Sequence, residues 1–355
     1  MHFILLDGYR GIAAIIVLLF HGAIATRHKD LIPYGGLAVD FFYCLSGFVI
    51  SHSYEKRLKA GMSLFEFMRV RIIRLYPMVA VGLAIGFLFF FLKLILTQKW
   101  ERLLPGLWSL MLNAAFLPSP FTELANGAAW PLNGTHWSLC FELLANVLFA
   151  AVLVHFSKRF FSILTVAAFS LLAYCATRVP EFDIGWGWND LWFGVIRVIF
   201  PFMAGVAIYW LHQYTQPRIK SHIHGALLIG LLCTSLTIRD SLLPNNWYPV
   251  IFVGAIAPTL IYLGAGYTPT EPQSRFLTKL GALSYPLYAI HLPLVRFAQG
   301  IGERGFPENE MYRTALVLIS CIISIPLALA CQRFFEAPLK EIVKKLLGVT
   351  TKKTA

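Results

Sequence analysis

Ten stretches of about 20 mostly apolar residues recur along this chain, and they constrain its fold more than any other feature. A helix needs about 20 residues to cross the hydrocarbon core of a bilayer, where backbone polar groups must bond within the segment. The predicted spans are 9–26, 36–54, 75–96, 137–156, 160–178, 190–211, 223–238, 248–266, 281–299 and 313–334. The sequence therefore predicts an all-α, polytopic transmembrane helix bundle of about ten spans.

Charged residues are too scarce for a separate soluble domain. They make up 14% of the 355 residues, whereas an average soluble domain carries roughly 25%. A weaker apolar piece, 105–118, is too short to cross and is expected to be a half-helix or an interfacial segment. We divide the chain into a transmembrane domain, 1–339, and a short basic cytoplasmic tail, 340–355.

The net charge of +12 would suggest nucleic acid in a soluble protein, but here membrane topology explains it better. If successive spans cross the membrane in opposite directions, eighteen of the Lys and Arg residues lie on the same side of the membrane as loop 55–74, and eight lie on the other side. Cytoplasmic loops carry the excess of basic residues. Both termini are therefore predicted to be cytoplasmic, in a multi-pass membrane protein that binds no nucleic acid.

The six cysteines all fall within apolar segments. They show no spacing typical of a metal site, and we interpret them as small apolar residues. No metal site is expected.

Ionisable residues inside the spans are functional candidates, because they are costly in hydrocarbon. Arg10 and His21 are eleven residues apart on the first predicted helix, which places them on one face, about 16 Å apart along the axis. His21 is either a satisfied interhelical histidine or part of a polar path from the cytoplasm to the bilayer centre. Asp40, in the outer half of the second span, could face His21 and orient its imidazole.

Two motifs follow in the next spans, and each has a structural alternative. Ser46 and Gly47 either bring two helices close together or line a site. Arg69, Arg71 and Arg74 end the first cytoplasmic loop, where they either anchor the topology or bind phosphates with their guanidinium forks.

The later spans add an aromatic and acidic pair and a proline-rich segment. Trp137 suits the outer interface, and Glu142, just inside the outer leaflet, needs a partner. The ninth span carries Tyr288 and His291 close to Pro286 and Pro293. Prolines break or kink a helix and free backbone carbonyls, so this segment predicts a cavity.

Together these motifs resemble the acyltransferase-3 family of bacterial membrane acyltransferases, over essentially the whole chain. The matching motifs stand in the family's order: Arg10 with His21, Asp40-Phe41-Phe42, Leu45-Ser46-Gly47-Phe48, Arg71 with Arg74, Trp137-Ser138-Leu139 with Glu142, and Ser284-Tyr285 with Tyr288 and His291. The resemblance implies transfer of an acyl group, with acetyl expected, from cytoplasmic acyl-CoA to a hydroxyl of an exported or cell-surface polysaccharide. No tightly bound cofactor is implied, since acyl-CoA is a donor substrate.

The resemblance also implies residue roles. The CoA phosphates would bind Arg71 and Arg74, with Arg69 as a further candidate. His21 would act as the general base, with Asp40 orienting it, or would carry the acyl group itself. Oxyanion stabilisation would come from Arg10, Ser46 or Tyr288. Substrate contacts are expected at Trp137, Glu142, Ser46, Tyr288 and His291, with a glycan or lipid-linked glycan as acceptor.

Two other functions fit part of the pattern. Polar groups near mid-membrane and prolines in helices are typical also of a transporter or flippase of a lipid-linked sugar, although the sequence shows no internal repeat. A non-catalytic subunit of an envelope assembly is the third possibility. The identity of the acceptor, and acetyl versus succinyl as the acyl group, stay open at this point.

Overall fold

The structure is a computed structural model that describes residues 3–219, 222–238, 243 and 246–348. Within these ranges the chain forms helices and turns with two isolated β-bridges, so the predicted all-α class is confirmed. Some basic residues used for the topology prediction lie outside the described residues: Lys220, Arg239, Lys352 and Lys353.

Thirteen α-helices are found in the described residues. In chain order, α1 to α13 are Ile4–Ala25, Leu37–Lys59, Leu64–Thr97, Leu103–Ala114, His136–Ala151, Lys158–Ala176, Leu191–Thr215, His222–Thr237, Trp247–Ile251, Ala257–Ala265, Glu271–Gly305, Glu310–Cys331 and Ala337–Leu346. Single π-helical segments join α9 to α10 and α12 to α13. Each of the ten predicted spans is helical over most of its length.

Seven helical segments of the described residues are long and apolar enough to cross a membrane. They are Ile4–Ala25, Leu64–Thr97, His136–His155, Lys158–Ala176, Trp188–Thr215, Trp247–Ala265 and Glu310–Leu346. Among the other predicted spans, α8 is shorter, and α2 and α11 are less apolar. The protein is thus a helical membrane bundle, while the ten-span count and the location of its termini stay predictions.

Helix α3 begins eleven residues before the predicted span because Ser63 caps it. The Ser63 hydroxyl accepts from the backbone N–H of Glu66 at 3.2 Å, and the Glu66 carboxylate accepts from the N–H of Ser63 at 3.0 Å. This reciprocal capping box satisfies two N–H groups that a helix start leaves free. Arg71 and Arg74 therefore lie on the same continuous helix as the apolar span.

Helix α11 is unbroken over Pro286 and Pro293, so of the predicted break or kink the break is wrong. A proline lacks the N–H that would bond the carbonyl four residues earlier, which for Pro293 is that of Ala289. The Asn133 side-chain amide donates to the Ala289 carbonyl at 2.7 Å. A side chain from another segment thus replaces the missing bond, which is how prolines are tolerated inside membrane helices.

The central helices run in two opposite directions. Helices α1, α3 and α11 are parallel: Gly8 lies against Leu277, and His21 lies beside His291 further along. Helices α2, α5 and α7 run the other way. We call the end where α1, α3 and α11 begin the arginine end, and the opposite end the histidine end.

Glycines set the distance between α2 and α7. A Cβ atom on Gly47 would overlap the carbonyl oxygen of Phe202, and one on Gly205 would overlap that of Cys44. Because both contacts are with backbone, neither can relax by moving a side chain. The helix-approach interpretation of Gly47 is therefore confirmed, and this contact holds α2 in place beside the site.

The short apolar segment and the tail are also helical. The predicted half-helix 105–118 corresponds to α4, whose 12 residues are too few to cross a bilayer. The first residues of the predicted tail belong to α13, which packs against α3 and buries Val343. Residues 349–355 lie outside the described residues, so the boundary at 340 stays a prediction.

Candidate active site

Two histidines from distant parts of the chain meet between α1 and α11. Nδ1 of His21 lies 2.9 Å from Nε2 of His291, and Nδ1 of His291 lies 3.0 Å from the carbonyl oxygen of Leu287. His291 is fully buried, while His21 is partly exposed to a cavity. The sequence identified both residues but did not predict that they are partners.

The hydrogen bonds of this pair determine its tautomers. A carbonyl oxygen only accepts, so Nδ1 of His291 carries a proton, and its Nε2 is the acceptor when the ring is neutral. Nδ1 of His21 must then donate to it. No hydrogen bond to Nε2 of His21 is found among the described residues, so its lone pair is available, which is the form a general base needs.

His21 lines one wall of a cavity of about 300 Å³ towards the histidine end, which we call the histidine cavity. Trp137 and Arg296 also line it. The Arg296 guanidinium lies near the ring of His21, and no hydrogen bond or ion pair of Arg296 is found among the described residues. The histidine cavity thus combines a base, an aromatic surface and a free cation.

A second cavity, of about 120 Å³, lies towards the arginine end and is called the arginine cavity. Its polar lining comprises Arg10, Tyr43, Ser46, Arg71, Arg74, Ser138, Glu142, Ser284, Tyr285 and Tyr288. Arg71 is buried and paired with Glu142 at 2.8 Å, whereas Arg74 is exposed. Three guanidiniums around one concave surface make a site for a polyanion.

Val39 and Tyr288 line both cavities. The Tyr288 hydroxyl lies 2.5 Å from Oγ of Ser138, and its ring centroid lies 5.9 Å from that of His291. The two cavities thus lie next to each other and share these two lining residues. Helix α1 contributes Arg10 to one cavity and His21 to the other, as expected for two residues on the same helix face.

Asp40 does not orient His21, so that prediction is wrong. Its carboxylate accepts from Nε and Nη2 of Arg197 at 3.1 and 2.7 Å, and both side chains are fully buried. Arg197 also donates to the Ile184 carbonyl at 2.6 Å and lies over the ring of Trp137 at 5.1 Å. In a low-dielectric interior a carboxylate is best satisfied by the two parallel donors of a guanidinium, and His291 takes the position expected of Asp40.

Glu142 lies in the arginine cavity, not beside Trp137 as predicted. Its Oε1 accepts from Arg71 and from the Ser46 hydroxyl, each at 2.8 Å. Trp137 and Glu142 are five residues apart on α5, a separation of about 140° around the helix and about 7.5 Å along it. The two side chains therefore reach different cavities.

Arg69 is separate from the other predicted phosphate ligands. Its guanidinium lies over the ring of Phe65 at 5.6 Å, and Arg69 is not part of the lining of the arginine cavity. Arg10 does line that cavity and is 3.6 Å from Asp7, one turn earlier. Arg71, Arg74 and Arg10 are therefore the cations that the fold brings together.

Comparison with known proteins identifies the family. A profile described as an acyltransferase domain matches residues 3–333, nearly the whole chain. This chain belongs to the acyltransferase-3 family. The resemblance read from the motifs is thereby confirmed, and the protein is a membrane acyltransferase by family.

Three curated proteins show different degrees of similarity to this acyltransferase. Protein 2 in the picA locus of Rhizobium radiobacter is 38% identical over 42% of this chain and 81% of its own length. The exopolysaccharide production protein ExoZ of Rhizobium meliloti is 29% identical over 61% of this chain and 65% of its own length. The acyltransferase MdmB of Streptomyces mycarofaciens is 22% identical over 90% of this chain and 86% of its own length. No solved structure matches the chain.

The geometry suits acyl transfer from a donor in the arginine cavity to an acceptor in the adjoining histidine cavity. A polyanionic donor fits the arginine cavity, and a free imidazole nitrogen in the adjoining cavity suits activation of a hydroxyl. Tyr288 lies at the boundary. Its O–H donates to Oγ of Ser138, since the Ser138 hydroxyl itself donates to the Thr135 carbonyl, and a turn of the Tyr288 hydroxyl would aim it at a carbonyl oxygen that becomes negative during transfer. The Asp40–Arg197 pair supports the wall behind Trp137. The sequence signal for this role was an ionisable residue, Asp40, inside an apolar span.

Proposed function

We propose that this protein is a membrane-embedded O-acyltransferase that moves an acyl group, with acetyl as the expected group, from cytoplasmic acyl-CoA to a hydroxyl of an exported or cell-surface polysaccharide. One observation carries the proposal: a histidine with a free Nε2 lies in one cavity, and a cluster of arginines lies in the adjoining one. The family assignment favours this reaction over the transporter and the non-catalytic subunit.

The proposed topology has ten spans in a bacterial inner membrane, with both termini and the arginine end in the cytoplasm. It is supported by the excess of Lys and Arg on that side and by the parallel course of α1, α3 and α11. The histidine end then faces the compartment into which glycans are exported. Donor and acceptor would enter from opposite sides and react near the middle of the bilayer.

The donor would bind with its phosphates at the cytoplasmic mouth of the arginine cavity. Arg74 is exposed there and free to form charge-assisted hydrogen bonds, whereas Arg71 is held by Glu142. The uncharged pantetheine arm would pass Arg10 and bring the thioester to Tyr288. Arg69 is left out of the proposed site because its guanidinium lies over Phe65.

In the proposed reaction Nε2 of His21 takes the proton of the acceptor hydroxyl, whose oxygen attacks the thioester carbonyl carbon. The carbonyl oxygen becomes negative and is stabilised by the Tyr288 hydroxyl, which turns away from Ser138 to donate to it. The C–S bond then breaks, and the thiolate of CoA takes the proton from His21. His291 positions the base through the hydrogen bond from Nδ1 of His21.

The acceptor would lie in the histidine cavity against Trp137. A polysaccharide is proposed because one relative is named as an exopolysaccharide production protein and because aromatic rings pack well against the apolar faces of sugars. Glu142, which the sequence had placed with the acceptor, has no part in this step because it lies in the arginine cavity.

The test is release of free thiol from acetyl-CoA by the purified protein, together with the mass of the acceptor glycan. Wild-type protein should release thiol and add one acetyl mass to the glycan. His21→Ala should lose at least about 100-fold in rate, since a positioned general base contributes that much or more. The matched control is His28→Ala, an exposed loop histidine. Full activity of His21→Ala would refute the mechanism.

A further inference from the structure

One charged residue of the histidine cavity has no role in the proposed reaction. Arg296 lines this cavity together with His21 and Trp137. Arginines near the ends of membrane helices commonly extend outwards, so that the charge reaches the lipid headgroups. The position of the Arg296 guanidinium shows that this arginine does not.

The Arg296 guanidinium lies inside the helix bundle. A Cβ atom on Gly134 would be 3.4 Å from one of its terminal nitrogens, so the guanidinium lies against the turn that precedes α5. Its charge also contributes to the electrostatic field at the His21 ring. The guanidinium is therefore close to the base of the proposed reaction, in the cavity proposed for the acceptor.

The other Lys, Asp and Glu residues that line the histidine cavity are paired. Lys29 lies 2.7 Å from Glu181, and Asp183 lies 3.5 Å from the buried Arg197. Arg296 forms no ion pair or hydrogen bond with the described part of the chain. The cavity thus presents one cation whose counter-charge the described residues do not supply, and an anion bound there gains charge-assisted hydrogen bonds.

A positive charge beside His21 works against the proposed reaction. When Nε2 takes a proton the ring becomes an imidazolium, and a like charge nearby disfavours that charged form. An anion bound to Arg296 cancels this effect. The acceptor that reacts best is therefore one that brings a negative group to Arg296 and a hydroxyl to His21 at the same time.

We infer that the acceptor is an acidic sugar, a uronic acid, whose carboxylate binds Arg296. The inference deepens the proposed function and rests on it. A guanidinium donates two parallel hydrogen bonds to a carboxylate, while the apolar face of the sugar ring packs on Trp137. Arg296 lines the histidine cavity and not the arginine cavity, so the carboxylate is assigned to the acceptor and not to the acyl group of the donor.

The test is equilibrium binding of two matched pairs of sugars to the purified full chain in detergent. The pairs are methyl glucuronoside with its uronamide and methyl galacturonoside with its uronamide, which keep every hydroxyl and differ only in the charge of the carboxyl group. Wild-type protein should bind the acid at least about tenfold more tightly than the amide in one pair, because a charge-assisted contact contributes that much. Arg296→Gln should remove the preference, and Arg296→Lys should keep part of it. Arg304→Gln, on the same helix but outside the histidine cavity, is the matched control and should behave as wild type.

Equal binding of acid and amide in both pairs, no binding of any of the four sugars, or a preference that survives in Arg296→Gln would overturn the inference. Thiol release from acetyl-CoA and succinyl-CoA tests the other source of a carboxylate. A wild-type preference for succinyl-CoA that Arg296→Gln loses would assign Arg296 to the acyl group and overturn the inference. Binding needs no acyl transfer, so a preference for the acid without thiol release contradicts the proposed function alone. Thiol release without that preference contradicts the acidic acceptor alone.

Discussion

His21 and His291 are 270 residues apart in the chain, yet their rings share a hydrogen bond of 2.9 Å between α1 and α11. The Leu287 carbonyl holds His291 in the tautomer that accepts this bond. The pair therefore leaves His21 with one free basic nitrogen, on which the proposed chemistry depends.

Removing the hydrogen-bond acceptor of His21 should slow catalysis without weakening donor binding. In His291→Phe the His21 ring loses its positioning partner, so we expect kcat to fall by at least about tenfold. KM for acetyl-CoA should stay unchanged, because the arginine cavity is untouched. His291→Gln restores an acceptor oxygen and should recover part of the rate. Thiol-release kinetics measure both constants, and an unchanged kcat in His291→Phe would remove His291 from the mechanism.

Arg74→Ala should weaken donor binding selectively. Arg74 is exposed in the arginine cavity, so the variant loses a phosphate contact without leaving a buried charge unpaired. One charge-assisted hydrogen bond contributes about 1.5–3 kcal/mol, which raises KM for acetyl-CoA at least about tenfold. Arg69→Ala is the control and should match wild type. Equal effects of the two substitutions would mean that Arg69, Arg71 and Arg74 only anchor the membrane topology.

The Asp40–Arg197 pair should contribute to stability, not directly to chemistry. Asp40→Asn removes the nearer of the two carboxylates that face the buried Arg197 and leaves only Asp183, at 3.5 Å. Breaking a buried pair typically destabilises a protein by about 3–5 kcal/mol, and we expect the lower end of that range. Asp40→Asn combined with Arg197→Met removes both charges and should recover much of that loss. Thermal unfolding of the protein in detergent measures the effect, with exposed Asp30→Asn as the control. A double variant no more stable than Asp40→Asn would contradict this account.

The close contact of α2 with α7 should not tolerate a methyl group. In Gly47→Ala the new Cβ overlaps the Phe202 carbonyl, and overpacking of this kind costs about 1–3 kcal/mol. Gly230→Ala is the matched control, since a Cβ there meets open space within a helix. The midpoint of thermal unfolding distinguishes the two, and equal midpoints would mean that α2 can shift away from α7.

Hydropathy and length predicted the helices well, because the bilayer imposes one element type and one minimum length. Motif residues on one helix, such as Arg10 and His21, were placed correctly because helix geometry relates their positions. Pairings between helices were not predictable in this way. Asp40 lies on the side of α2 that faces Arg197, and the rotation of α2 depends on the glycine contacts with α7, which hydropathy does not encode.

The depth at which each side chain lies in the helix bundle was also poorly predicted from the sequence. Glu142 was predicted to lie with Trp137 because both are near the start of one span. The two residues are five positions apart, however, so their side chains point in different directions from the helix and reach different cavities. Of the break or kink predicted at the prolines of α11, the break does not occur, for a related reason. Asn133, more than 150 residues earlier, supplies the hydrogen bond that Pro293 removes, and only the folded bundle brings the two together.

The most direct test of the central claim uses sealed membrane vesicles of defined orientation, with radiolabelled acetyl-CoA supplied only outside. We predict that inside-out vesicles, which expose the arginine end, transfer label to the glycan on the other side. Right-side-out vesicles should transfer none, and His21→Ala should abolish the transfer by inside-out vesicles. Equal labelling in the two orientations, or labelling by His21→Ala at the wild-type level, would contradict the account.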